Sequence, residues 1–127
     1  MAVTLTYDAD LQILIVKVNG YLSLDDYKDT AYRLLNSNEY PADVDAIWDL
    51  NEMNFDNIDL KFEEELVSVR QQHNEQRGHA RVAIVSSNTL AEPMIKLFKI
   101  ISNHLHQEID YFTTMEAARI WLTEKQE

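Results

Sequence analysis

At 127 residues with 46% apolar side chains, the chain is long enough to bury one compact core and too apolar to be a disordered segment. A formal charge of −11 opposes binding to nucleic acid or to an anionic membrane surface, because counterion release needs clustered Lys and Arg. With no cysteine the chain forms no disulfide, thiolate nucleophile, iron–sulfur cluster or cysteine–zinc centre. The expectation is a single domain over residues 1–127, with no leader and no apolar run near the roughly 20 residues that span a bilayer, and hence no membrane insertion and a cytoplasmic location.

Val3 to Tyr7 alternates apolar and polar residues, and Leu11 to Val18 is rich in β-branched ones, so the two predict an antiparallel hairpin through Asp8-Ala9-Asp10. Gly20 is expected to end the second strand. Ser23-Leu-Asp-Asp26 has the form of a helix start with Ser23 as N-cap, and Tyr27, Ala31, Leu34 and Leu35 follow at helical spacing to about Ser37. Pro41 forbids continuation, and Val44 to Leu50 predicts a third strand covered on both faces. Asp59 suits the cap of a second helix with the stripe Phe62, Leu66, Val69 and His73, which Gly78 would end. Arg81 to Ser86 is a fourth strand. Thr89-Leu-Ala-Glu92 predicts a capping box, with Pro93 in the first turn of a third helix that runs to about His106. Ile109 to Phe112 is a fifth strand, and Thr113-Thr-Met-Glu116 opens a last helix through Trp121 and Leu122. The order β-β-α-β-α-β-α-β-α implies an α/β fold: a mostly parallel five-stranded sheet with its first strand antiparallel and four helices packed on it.

Four pieces at the joints of this order, VNGYLSLDDY (Val18 to Tyr27), IWDLNEMNF (Ile47 to Phe55), RVAIVSS (Arg81 to Ser87) and MEAARIWL (Met115 to Leu122), carry a family likeness. In that order the chain resembles the STAS domain, the anti-sigma-factor-antagonist fold, and especially its SpoIIAA-like branch, grouped with CRAL-TRIO lipid-exchange proteins. The resemblance covers nearly the whole chain. It implies a non-enzymatic regulatory domain without a cofactor that binds a protein partner or, in some relatives, an apolar ligand. The antagonists' Asp-Ser-Ser-Gly-Leu pattern, with its phosphorylated serine, falls on Asp56-Asn57-Ile58-Asp59-Leu60 here. Asn57 and Ile58 replace both serines, so the phosphorylation switch implied by the family is lost at this turn.

The turn from Asn51 to Leu60 is the first partner-contact candidate, through Asn51, Asn54, Asp56, Asn57 and Asp59, since binding loops commonly ride on rigid scaffolds. The structural alternative is that the same amides satisfy turn backbone. The charge is uneven: residues 22–66 hold 13 Asp or Glu against Lys28, Arg33 and Lys61. Most of these acids suit helix starts, where the macrodipole favours them. A parallel sheet would also bring Asp25, Asp26, Asp49 and Asp56 toward one rim, which makes them the candidates for a divalent-metal or enzymatic reading.

His104 and His106 point roughly 200° apart on a helix and do not clasp one ion, while His73 reads as a packing residue. Two glycines leave no room for a dinucleotide or P-loop fingerprint, and Ser86 and Ser87 have no histidine placed to activate them. The third helix is more informative. Leu90, Met94, Leu97, Phe98, Ile101 and Leu105 make one stripe that Ile95 and Ile100 widen to roughly 220° of apolar arc, where a sheet-packed helix needs little more than about 100°. The surplus points to packing against the last helix through Trp121 and Leu122, to a protein interface including a homodimer, or to an apolar small-molecule pocket. The interface or pocket candidates are Met94, Ile95, Phe98, Ile101 and Trp121. A carrier of drug-sized ligands would need a cavity of about 300 Å³ or more.

Overall fold

The computed structural model describes residues 2–124. Its elements are β1 (Val3–Asp8), β2 (Ile13–Tyr21), α1 (Leu24–Leu35), β3 (Asp45–Asn54), α2 (Leu60–Gln72), α3 (Asn74–Arg77), β4 (Arg81–Val85), α4 (Glu92–Ile101), β5 (Glu108–Phe112) and α5 (Met115–Thr123). The strands lie in sequence order, β1-β2-β3-β4-β5, with β1 antiparallel and the other pairs parallel. The predicted sheet and its order are therefore present, and α3, a single turn, is the one element not anticipated.

Alternation along β2 divides the core. Leu14, Val16 and Val18 face a layer that includes Leu34, Leu50, Ile84, Ile95 and Ile109, whereas Ile13 faces Ile47, Ala83, Val85, Ala118 and Leu122. α1, α2 and α4 pack on the first face, and α5 covers the second. The expected packing of the third helix against Trp121 and Leu122 is consequently not made. Trp121 sits across the sheet, its ring 5.3 Å from that of Phe112 and stacked under the Arg81 guanidinium at 3.9 Å.

Several boundaries differ for local reasons. Gly20 does not end β2: the strand passes through it at φ +70°, after a register shift between Lys17 and Asn19, and pairs Asn19, Gly20 and Tyr21 with Glu52, Met53 and Asn54. That pairing carries β3 four residues beyond the expected Leu50. Gly78 ends α3 rather than α2, with its N–H donating to the Asn74 carbonyl. The Thr89–Glu92 capping box does not form, because Ala91 is the N-cap of α4 and makes no side-chain cap bond, while Pro93 occupies the first turn as expected. α4 stops at Ile101, where the Ser102 hydroxyl donates back to the Phe98 carbonyl at 2.7 Å, so Leu105 and His106 lie beyond the helix. Thr114, not Thr113, caps α5.

Candidate ligand cavity

A cavity of about 140 Å³ lies between α1, α2, α4 and the sheet. Its apolar walls come from Leu34, Trp48, Leu66, Val69, Ile95 and Phe98, and polar groups enter it from Tyr27, Glu63, Arg70, Arg77 and Gln107. The face of α2 explains most of this chemistry. Glu63, Leu66, Arg70 and His73 follow at spacings of three, four and three residues, so the helix turns one stripe of mixed character inward. Seven residues separate Glu63 from Arg70, which is about 10 Å along the helix axis.

Arg70 is held in place from two sides. Its Nη2 donates to Gln107 Oε1 at 3.2 Å, and its guanidinium lies 5.5 Å from the centre of the Phe98 ring. Gln107 is anchored in turn, its Nε2 donating to the carbonyl of Gly78 at 2.8 Å and that of Asn74 at 3.2 Å. Arg70 Nη1 is buried and finds no hydrogen-bond partner among the described residues, and the same is true of Glu63 Oε2. Arg77 differs: its Nη1 donates to the carbonyls of Ala42 and Val44 at 2.8 and 2.6 Å, tying the end of α3 to the start of β3.

Burial governs the electrostatics. It pushes the Tyr27 hydroxyl up despite the opposing pull of Arg70 and Arg77. It lowers both guanidiniums, Arg77 to about 10, with Tyr27 opposing the shift in each case. Asp45 and Asp43 also support the charge on Arg77, whereas among the described residues no carboxylate does so for Arg70. The Glu63 carboxyl, only 3% exposed, is pushed up to about 7 by burial.

Of the apolar candidates, Met94, Ile95 and Phe98 line this cavity, Ile95 as a core residue. Ile101 instead borders a second, more open depression between α2 and α4 with Glu64, Val67, Ser68 and Gln71, and Trp121 belongs to the opposite face of the sheet. Four of the five polar candidates in the Asn51–Leu60 segment hold backbone. Asn51 and Asn54 lie in β3 rather than in a turn. Asn51 Oδ1 accepts from the Ser87 N–H at 2.8 Å, Asn54 Oδ1 from the Asp56 N–H at 2.9 Å, and Asp59 Oδ1 from the Phe62 N–H at 2.8 Å. Asn57 Nδ2 donates to the Leu22 carbonyl at 3.0 Å and so ties the start of α2 to the loop before α1. Asp56 is exposed. Asp49 accepts from the Asn51 N–H, and Asp25 and Asp26 sit in the first turn of α1. No three of the described acids and histidines converge as metal ligands, so the acidic rim of Asp25, Asp26, Asp49 and Asp56 is not gathered into a site.

The cavity residues Glu63, Arg70, Arg77 and Gln107 were not among the sequence candidates. The signal available was the inward spacing of Glu63 and Arg70 around Leu66.

A family model described as SpoIIAA-like matches residues 13–123. The chain belongs to the SpoIIAA-like family. Among solved structures it is similar to an uncharacterized protein of the DUF3478 family with a SpoIIAA-like fold from Shewanella loihica PV-4. The two share 22% identity and a TM-score of 0.64 over 95% of this chain and 92% of that one, a likeness of fold. No curated protein matches. No helix among the described residues of this SpoIIAA-like chain is long and apolar enough to cross a membrane.

Proposed function

We propose that this SpoIIAA-like chain is a non-catalytic binding domain that holds a small, largely apolar molecule between α1, α2, α4 and the sheet. The observation that carries the proposal is a cavity with apolar walls that two polar side chains, Glu63 and Arg70, also line, each with a buried atom that has no hydrogen-bond partner among the described residues. Pockets of this make-up, apolar with a few convergent polar groups, are the usual form of small-molecule sites. At about 140 Å³ the cavity is half the size expected for a drug-sized ligand, so an occupant on the scale of one six-membered ring fits and a whole lipid does not. The former phosphorylation turn has a structural part in this reading, since Asn57 pins the rim of the cavity.

The test uses Ala31, which lines the cavity from α1. In a thermal-shift screen, small apolar alcohols should raise the melting temperature of the native protein, with the logarithmic dependence on ligand concentration that binding to the folded state gives. Ala31→Leu, which fills the space, should fold with stability within about 1 kcal/mol of the parent and lose that response. A parent protein that no such compound stabilises would refute the proposal.

The exposed side of α4 supports a second reading, a protein contact. Ile100 is 64% exposed and lies with the exposed Leu97 on α4, and Leu90, in the turn before the helix, is 81% exposed. If a second copy covers this side, sedimentation velocity will show a dimer that Ile100→Ser converts to monomer; a parent that sediments as a monomer at all concentrations removes the homodimer.

A further inference from the structure

The geometry points to an organic carboxylate as the ligand: a monoanion whose head is bound by Arg70 and Tyr27 and whose short apolar tail lies along Trp48, Leu66 and Ile95. This inference rests on the binding function proposed above and narrows it to a chemical class.

Arg70 is the reason. It is a cation built into the wall of an apolar cavity, oriented by Gln107 on one side and Phe98 on the other, with Nη1 left over. The chain has 22 acidic residues, yet among the described residues none forms an ion pair with Arg70. Removing a guanidinium from water without an anion is costly, and a carboxylate supplied by a ligand offsets that cost through charge-assisted hydrogen bonds. Tyr27 stands in the same wall, its ring 5.4 Å from that of Trp48, and its hydroxyl is available there as a second donor. Arg77 is the poorer candidate, because Nη1 is already committed to two carbonyls and Asp43 and Asp45 lie near it.

The other end of the cavity sets the ligand's polarity. The far end, about 10 Å along α2 at Glu63, offers no cation among the described residues to a second anion, so the ligand carries one carboxylate and its tail runs toward Glu63. A doubly charged phosphate is a worse match for a single free guanidinium nitrogen in a space this small.

Hexanoate, hexanamide, 1-hexanol and adipate distinguish the possibilities without altering the protein. At neutral pH, calorimetric titration of the full chain should give hexanoate an affinity at least roughly tenfold above hexanamide and 1-hexanol, and adipate no advantage over hexanamide. Tyr27→Phe should weaken hexanoate and leave 1-hexanol unchanged, and Arg70→Met should bring hexanoate down to the level of the alcohol. Should Arg70→Met fail to fold, the comparison of the four compounds on the parent chain decides alone. Saturable binding of 1-hexanol with no preference for hexanoate would overturn the carboxylate inference while leaving the binding function standing. Absence of saturable binding by all four would overturn both.

Discussion

Glu63 is the residue whose behaviour departs furthest from its sequence context. Among Glu63, Glu64 and Glu65 it reads as one more acid favouring the start of a helix, but the helix turns it inward, where its Oε2 has no partner among the described residues. Burial raises its pKa from 4.5 in the unfolded reference to about 7. Between those values the folded chain holds a proton that the unfolded chain has released, so this group's contribution to stability falls as pH rises through the window. The loss is on the order of 3 kcal/mol at pH 8. Urea denaturation at pH 5 and pH 8 should show Glu63→Gln more stable than the parent at pH 8 by about that amount, with little difference at pH 5. Parallel pH profiles for the two proteins would mean that the carboxyl is solvated. The same inward stripe contains Arg70, and neither residue was singled out in the sequence because charge in a helix is ordinarily solvent-facing; only their spacing around Leu66 gives them away.

Among the elements, strand and helix identities were legible because hydrophobic period and caps agree: Ser23 and Asp59 cap α1 and α2 as their positions predict. Asp59→Ala should therefore lower stability by about 1 kcal/mol in urea denaturation. What local sequence did not carry was pairing. Gly20 has the appearance of a strand terminator, but the register shift beside it lets β2 continue and draws residues 51–54 into β3, which removes Asn51 and Asn54 from the loop expected there. A Cβ at Gly20 would meet nothing within 4 Å, so the requirement is conformational, set by φ +70°. Gly20→Ala should cost about 1 kcal/mol and Gly20→Asn less, since asparagine tolerates the left-handed region. Equal losses for both would point to packing instead. The end of α4 was likewise set by something periodicity does not report, the Ser102 hydroxyl returning to the Phe98 carbonyl.

At the scale of the whole molecule, element order and right-handed crossovers made the sheet legible, and the family follows from the full run of motifs over residues 13–123. The distribution of helices over the two faces was not legible. With α5 alone on one side, the wide apolar arc of α4 is divided between Ile95 in the core, Met94 and Phe98 at the cavity, and Leu97 and Ile100 in solvent, while Leu90 falls in the turn before the helix. The cavity follows from that three-helix layer, whose inward residues leave space above Trp48 and Leu50. The most direct test is a methyl NMR titration of the full chain with 1-hexanol. The account predicts saturable shifts at Leu34, Leu66, Val69 and Ile95, with Val85 and Leu122 across the sheet unmoved. Shifts confined to Leu97 and Ile100, or no saturable shift at all, would contradict it.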